Sequence, residues 1–260
     1  MTSKKDRTPL LLLHAGVADS RMWQPILPRL ESNRRVLAPD LRGFGSRPLA
    51  KEPYSHVDDL VALLDAEGVQ RAAVVGASNG GRIAIDLALS HPDRVAVLVL
   101  AAPALGGWDW SEETRAFGAK EDGLLESGQV DAAVDLNVRT WVDGRGRGPA
   151  DVDGAVRELV REMQLQAFEH LLNAYSTEPH PEERELDPPA VGRLAELTAP
   201  TLVVVGDLDM PDFPRIAARI ADEAPRARVL EIAGVAHLPA LERPELFAEL
   251  VLAYLDELGV

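Results

Sequence analysis

Six short apolar segments, each bounded by turn-forming residues, constrain the fold of this chain more than any other feature. Residues of alternating polarity are absent from them, which is typical of parallel strands that helices cover on both faces. They therefore predict a sheet of about six mostly parallel strands. The segments are PLLLLH (9–14), RVLAPD (35–40), AAVVGA (72–77), VAVLVLAA (95–102), TLVVVG (201–206) and RVLEIAG (228–234).

Helical patterns separate most of these strands. In residues 54–69, apolar side chains recur every third or fourth position behind a serine that can cap a helix. Residues 243–258 repeat this design, with a proline near the start. Strands that alternate with helices in this way predict a doubly wound α/β fold.

The alternation stops between residues 103 and 198. This segment contains the amphipathic pattern DVDGAVRELVREMQLQAFEHLL and no strand-like run. We predict that residues 1–102 and 199–260 form an α/β core, and that residues 103–198 form a helical insertion between the fourth and fifth strands.

Charge and composition exclude several classes of protein. The 260 residues include 27 basic and 42 acidic side chains, for a net charge of −15. Such a surface repels nucleic acid and anionic lipid, so we expect neither as a partner. The chain has no cysteine, which excludes a thiolate nucleophile and a cysteine-ligated metal. Four leucines before His14 are too few for a signal-peptide core, and we expect a soluble cytoplasmic protein.

The pattern GASNGG, residues 76–81, surrounds one serine with glycines between a predicted strand and a predicted helix. A bend with almost no loop strains its central residue, and glycine is needed where a Cβ would collide. The hydroxyl of Ser78 would then stand at the C-terminal edge of the sheet, where α/β folds bind ligands. This is the G-x-S-x-G pattern of a nucleophile elbow. Two alternatives are a plain turn in which Ser78 caps the helix, and a phosphate-binding loop, although the lysine and spacing of such loops are missing.

A serine needs a base, and the base needs an orienting acid. Among the histidines after Ser78, only His237 follows a predicted last strand, so we predict that it is the base. The acid should follow the preceding strand, in VVVGDLDMPDF. We favour Asp209, with Asp207 next and Asp212 as a further candidate.

The reaction also needs donors for a developing oxyanion. We predict the backbone N–H groups of Asn79 and of Gly16, with Val17 as the alternative to Gly16. His14 is expected to brace this loop by hydrogen bonding, because its place in the chain order does not suit a triad.

Val17 and several aromatic and methionine side chains are candidates for the substrate pocket, although packing in the core or the cap is the more usual role for such residues. Trp23 is expected to anchor its own helix. The sequence indicates no metal and no organic cofactor, and we expect a small, uncharged or weakly anionic acyl substrate. The candidates are Val17, Trp23, Trp108, Trp110, Trp141, Met163, Phe168 and Met210.

With these residues in place, the chain resembles the α/β-hydrolase superfamily, in the branch of carboxylesterases, enol-lactonases and cofactor-free haloperoxidases. The resemblance implies a Ser78–Asp209–His237 triad, Gly16 and Asn79 as oxyanion donors, and a helical cap formed by 103–198. Serine at position 78 excludes the dehalogenases and epoxide hydrolases that use an aspartate nucleophile. The motifs that carry the resemblance are LLLHAG…MW, VLAPDLRGFGSRP, VVGASNGG, HPDRVAVLVLAAP, VVVGDLDMPD and GVAHLPALERPELF.

The chain departs from the family pattern at two places. The usual His-Gly pair is His-Ala-Gly here, which leaves the identity of the second oxyanion amide open. Only eight residues precede Pro9, so the N-terminal hairpin of the family is expected to be missing. The segment RVLAPD would then be an exposed edge, through which the chain could form a homodimer.

The sequence thus predicts a serine hydrolase of a small carboxylic ester or lactone. A C–C bond hydrolase, a thioesterase and a perhydrolase would use the same triad, since fold does not fix function. A ligand-binding protein that has lost turnover is the alternative outside enzymes.

Overall fold

The computed structural model describes residues 7–32, 34–49 and 51–260. In these residues six parallel strands form one sheet, in the order β2-β1-β3-β4-β5-β6. The predicted α/β class is therefore confirmed. The strands are β1 (Leu10–Leu13), β2 (Val36–Leu37), β3 (Ala72–Ala77), β4 (Val95–Ala101), β5 (Thr201–Gly206) and β6 (Ala227–Ile232).

Helices cover both faces of the sheet at β1, β3, β4 and β5, which explains their unbroken apolar segments. The expectation that RVLEIAG is covered on both faces is wrong, because β6 lies at the edge of the sheet and most of its residues are exposed or half-buried. In β1, Leu10 and Leu12 pack into one core cluster, whereas Leu11 and Leu13 pack into another on the opposite face. The α-helices of the described chain are α1 (Leu27–Glu31), α2 (His56–Ala66), α3 (Asn79–Ser90), α4 (Glu112–Glu126), α5 (Val130–Asn137), α6 (Gly154–Tyr175), α7 (Asp212–Glu223), α8 (Pro239–Glu242) and α9 (Pro244–Glu257).

The strand register brings four loops together at one edge of the sheet. Leu13, the last residue of β1, pairs with Gly76 near the end of β3. Gly206, the last residue of β5, pairs with Ile232 at the end of β6. Because the C-terminal ends of parallel strands lie side by side, the loop after β1 meets the turn after β3, and the loop after β5 meets the loop after β6.

The segment between β4 and β5 is helical where it is regular. It contains α4, α5 and α6, with a π-helix at Val138–Asp143 that continues α5. The division into a core (1–102 and 199–260) and a helical insertion (103–198) stays a prediction. Across the described residues, none of the helices has both the length and the apolar character needed to cross a membrane.

The edge strand β2 is much shorter than the predicted segment 35–40. It ends after Leu37, since Pro39 has no N–H to donate to a strand ladder and the Asp40 carboxylate accepts a hydrogen bond from the Ser20 amide. β6 lies at the opposite edge. The predicted absence of an N-terminal hairpin falls largely on residues 1–6, which lie outside the described residues.

Dimerisation through the β2 edge remains a prediction. Two copies joined there could pair only the few backbone groups of Val36 and Leu37, so we expect association at high protein concentration only. Light scattering over a concentration series measures this directly. A mass that stays at the 28.1 kDa of one chain at every concentration would rule out the dimer.

Candidate active site

Ser78 occupies a strained backbone conformation between a strand and a helix. β3 ends at Ala77 and α3 begins at Asn79, so Ser78 alone makes the turn, with φ 51° and ψ −115°. Positive φ is uncommon for a residue with a Cβ and costs on the order of 1–3 kcal/mol. Hydrogen bonds hold it there: its N–H donates to Ala101 O at 2.9 Å, and its carbonyl accepts from the Ala104 N–H at 3.0 Å.

Two glycines allow this turn because backbones approach closely on both sides of it. A Cβ on Gly76 would collide with the Gly80 carbonyl. A Cβ on Gly80 would collide with the carbonyl oxygens of Leu13 and His14 at the end of β1. The glycines thus let α3 pack directly on β3 and on the chain leaving β1.

The Ser78 side chain is available for chemistry. It lies at the N-cap position of α3 but makes no capping hydrogen bond, so the alternative in which its hydroxyl caps the helix is wrong. The residue lines a cavity of about 500 Å³ at the C-terminal edge of the sheet. Gly16, Val17, Asn79 and His237 line the same cavity.

His237 and Asp209 form a buried hydrogen-bonded pair beside this cavity. Nδ1 of His237 lies 2.8 Å from Oδ2 of Asp209, and each residue is 2% exposed. The other carboxylate oxygen of Asp209 accepts from the Met210 N–H at 2.7 Å. A carboxylate in this position makes Nδ1 the protonated ring nitrogen and leaves Nε2 free to accept a proton. Among the described residues no hydrogen bond joins His237 to Ser78; such bonds often tighten only when substrate is bound.

The other two candidate aspartates have different partners. Asp207 is exposed, and its Oδ1 accepts from the Gly234 N–H at 2.7 Å, which ties the two loops after β5 and β6. Asp212 is buried and accepts hydrogen bonds from Trp108 Nε1, the Ser111 N–H and hydroxyl, and the Thr114 hydroxyl. Burial acts to raise the pKa of Asp212, but these bonds outweigh it and leave the pKa below its usual value.

Two aromatic rings hold the imidazole of His237. Its ring centroid lies 4.6 Å from that of Trp141 and 4.3 Å from that of Phe213. The backbone N–H of His237 also donates a hydrogen bond to the backbone carbonyl of Trp141 at 3.3 Å. Phe213 was missed by the sequence analysis, although its place in the first turn of α7, just after the acidic loop, was a usable signal.

Backbone amides are available near Ser78. The N–H of Asn79 is one of those that the start of a helix leaves without a helical acceptor. Gly16 approaches it closely, since a Cβ on Gly16 would lie 3.6 Å from Asn79 Cβ. Neither Gly16 nor Val17 donates a backbone hydrogen bond within the described chain. Which of the two would complete an oxyanion site stays a prediction.

His14 braces the loop that carries these amides, as predicted. The ring is fully buried; Nε2 accepts from the Leu41 N–H at 2.9 Å, so Nδ1 carries the proton and donates to Ala15 O at 2.9 Å. Burial lowers the pKa of His14, which keeps this neutral form.

The structure corrects three of the predicted pocket residues. Trp108 points to Asp212 instead of the cavity. Met163 is buried in the core, where its sulfur accepts from the Asp19 N–H at 3.4 Å. Met210 is buried in a small cluster with Ala102, Trp141 and Phe213. Each therefore serves packing, the alternative noted for it.

Four other candidates do line the cavity: Val17, Trp110, Trp141 and Phe168. Trp23 anchors its short 3₁₀ helix, as expected, since it is fully buried and stacks on Phe247 with centroids 6.4 Å apart. The described residues contain no group of three or more His, Cys, Asp or Glu side chains placed to hold a metal ion.

A charged network behind the turn was not foreseen. Arg82 Nε donates to Asn79 Oδ1 at 2.9 Å, and its guanidinium pairs with Glu183 at 2.6 Å and Asp86 at 3.3 Å. The charged side chains four residues apart in the apolar helix GGRIAIDLAL were the available signal. Nearby His56 lines the cavity, and burial lowers its pKa to about 4, so it is neutral at neutral pH.

Comparisons with known proteins agree with this fold. The sequence pattern of the alpha/beta hydrolase family matches residues 10–250. The chain is 31% identical over 261 residues to a 2-hydroxymuconate semialdehyde hydrolase from Pseudomonas sp. strain CF600, covering 96% of this chain and 87% of the relative. This chain therefore belongs to the alpha/beta hydrolase family and is a hydrolase of that fold.

Two further proteins illustrate the similarity. A pimeloyl-[acyl-carrier protein] methyl ester esterase from Pectobacterium atrosepticum is 28% identical over 265 residues, covering 97% of this chain and 96% of the relative. The solved structure of a thermophilic esterase from Thermogutta terrifontis superimposes with a TM-score of 0.78 at 25% identity, covering 98% of this chain and 91% of that one.

Gly76→Ala should destabilise the protein, because the new Cβ would meet the Gly80 carbonyl. We expect the free energy of unfolding, measured with denaturant, to fall by about 1–3 kcal/mol. Gly123→Ala in α4 is the matched control. Apart from its chain neighbours and the backbone of its own helix, no atom lies within 4 Å of a Cβ there, so the variant should gain about 0.5–1 kcal/mol from helix propensity. Equal unfolding free energies for Gly76→Ala and wild type would contradict the close approach described above.

Proposed function

We propose that the protein is a serine hydrolase that cleaves small carboxylic esters or lactones through an acyl-enzyme. Ser78 is the nucleophile, His237 the general base and acid, and Asp209 the residue that orients the imidazole. The N–H groups of Asn79 and Gly16 stabilise the oxyanion.

One observation carries this proposal. A serine in a strained turn, with its hydroxyl unbound, shares a cavity with an imidazole that a buried carboxylate holds. A structural turn needs neither the strain nor the buried pair, whereas acyl transfer needs both an exposed nucleophile and a base of fixed tautomer.

Acylation begins when Ser78 Oγ attacks the substrate carbonyl carbon and gives its proton to His237 Nε2. The carbonyl π electrons move to oxygen, and the two amides bind the resulting negative charge. Asp209 stabilises the imidazolium, which then protonates the departing alkoxide. The C–O bond of the ester breaks and an acyl-serine remains.

Deacylation reverses the roles. His237 Nε2 accepts a proton from water, whose oxygen attacks the acyl carbon, and the serine leaves with the proton that the imidazolium returns. The carboxylic acid is released and Ser78 is restored. For a lactone, the alcohol and the acid are parts of one product.

The aromatic side chains of the cavity wall favour a substrate whose acyl chain is apolar. Trp110, Phe117, Trp141 and Phe168 line the cavity, and all four come from the 103–198 segment, which we propose is a cap over the site. The relatives named as a methyl ester esterase and an esterase support ester hydrolysis.

The relative named as a 2-hydroxymuconate semialdehyde hydrolase supports a second candidate. A semialdehyde is not an ester, and C–C bond hydrolysis would use the same three side chains. A substrate panel that contains esters, lactones, thioesters and a vinylogous β-diketone separates these activities.

Ser78→Ala should remove ester hydrolysis, because the attacking oxygen is gone. We expect the rate for a p-nitrophenyl ester to fall by on the order of 10⁴ or more. A fluorophosphonate should label the wild type at one residue, Ser78, and should not label the variant. Unchanged circular dichroism and melting temperature serve as the control for folding.

The opposite result would be informative. If Ser78→Ala hydrolysed the ester as fast as wild type, another group would have to be the nucleophile. A wild type that failed to react with the fluorophosphonate would favour a binding protein over an enzyme with this mechanism.

Two of the aspartates after β5, Asp209 and Asp207, give a matched pair of variants. Asp209→Asn should lower kcat by on the order of 10⁴, since an amide holds the wrong imidazole tautomer. Asp207→Asn should stay close to wild type, because its carbonyl oxygen can still accept from Gly234. Steady-state kinetics on one ester measures both. A larger loss at Asp207 than at Asp209 would contradict the assignment of the acid.

A further inference from the structure

Gln164 is a buried polar residue in the cavity wall whose amide has no partner. It lies on α6, is 4% exposed, and lines the same cavity as Ser78. Its Oε1 is buried without a hydrogen bond. Nε2 also makes no hydrogen bond within the described chain, yet it is not among the buried unpartnered atoms. It is therefore the end of the amide that reaches open space, which is the cavity.

An unpartnered buried amide is unfavourable, and packing does not require it. A buried polar group without a partner costs free energy that an apolar group of similar size would not. The next α6 residues along the wall are Ala167, Phe168 and Leu171, all apolar. A leucine at 164 would continue this surface, so the amide points to a ligand group that accepts a hydrogen bond from Nε2 in the cavity.

The other glutamine in this part of α6 shows what a structural role looks like. Gln166 Nε2 donates to Gly45 O at 2.9 Å, and its Oε1 accepts from Arg21 at 2.9 Å. Both ends of that amide are used, and Gln166 does not line the cavity. Gln164 and Gln166 thus have the same side chain on the same helix, but only the amide of Gln166 is hydrogen-bonded within the protein.

The charges of the wall define what Gln164 can bind. Arg42 is held by Asp59 through two hydrogen bonds, one of 2.8 Å. Glu183 pairs with Arg82 at 2.6 Å, and Glu121 accepts a hydrogen bond from Asn137. The wall therefore presents carboxyl groups and one arginine, whose positive charge Asp59 already balances. Such a wall disfavours an anionic ligand group.

We propose that Gln164 determines specificity by binding an uncharged hydrogen-bonding group, such as an amide, that the substrate carries away from its scissile carbonyl. This inference rests on the proposed esterase function, which it refines from "small ester or lactone" to a neutral, polar-substituted one. A site whose buried polar group is left unpaired rejects a substrate that lacks the matching group.

The test uses four aliphatic esters of equal length, with acid release followed by a pH indicator. One is wholly apolar, one has an amide in the acyl chain, one has an amide in the alcohol, and one ends in a carboxylate. We expect wild type to favour one amide ester over the apolar ester by kcat/KM, and to hydrolyse the carboxylate ester most slowly.

Gln164→Leu should reverse this preference. We expect kcat/KM for the favoured amide ester to fall about 10- to 100-fold, mainly through KM, while that for the apolar ester rises. The melting temperature should rise as well, because an unpartnered amide is gone. The control Gln166→Leu should lower the melting temperature and leave the ratio between the two esters as in wild type.

The outcomes separate this inference from the proposed function. If wild type is labelled by a fluorophosphonate and hydrolyses the apolar ester, but Gln164→Leu changes all esters by one common factor, the function stands and the subsite is overturned. If wild type prefers the carboxylate ester, the subsite is overturned in the same way. A protein that neither labels nor hydrolyses any ester contradicts the function, and the subsite falls with it.

Discussion

The close approach of three backbone segments at Gly76 and Gly80 is the constraint on which the rest of the site depends. At this point α3 leaves β3 without a loop and passes against the carbonyl oxygens at the end of β1. The approach forces Ser78 into its strained conformation, and it also sets the distance between the Asn79 amide and the loop of Gly16. One packing contact therefore positions both the proposed nucleophile and the proposed amide donors.

The second half of the site is positioned by the sheet itself. Asp209 and His237 leave neighbouring parallel strands, β5 and β6, whose last paired residues are Gly206 and Ile232. Two loops that start from adjacent strand ends need only a few residues to meet, and their side chains can be buried as they do. Ser78, Asp209 and His237 occur in this order along the chain because the strands that precede them, β3, β5 and β6, do.

Much of this arrangement could be predicted from the sequence, because its signals are local. Unbroken apolar segments predicted parallel strands, and GASNGG predicted the turn at Ser78. The cavity wall was predicted less well. Met163 and Trp141 look alike as large apolar residues on helices, yet one is core and the other lines the cavity. That difference depends on how α5 and α6 pack on each other, which no short pattern encodes. The unpaired state of Gln164 was invisible for the same reason, since a missing partner is a property of the whole fold.

The contact between Trp141 and His237 has a consequence for how such a protein can diverge. The tryptophan belongs to the segment between β4 and β5, yet its carbonyl holds the histidine backbone and its ring packs on the imidazole. The segment that lines the cavity thus also supports the imidazole of His237. Recombination could replace this whole segment and so change specificity. His237 would then lose its contacts with the carbonyl and the ring of Trp141. Gradual change of individual wall residues is the route that the architecture permits.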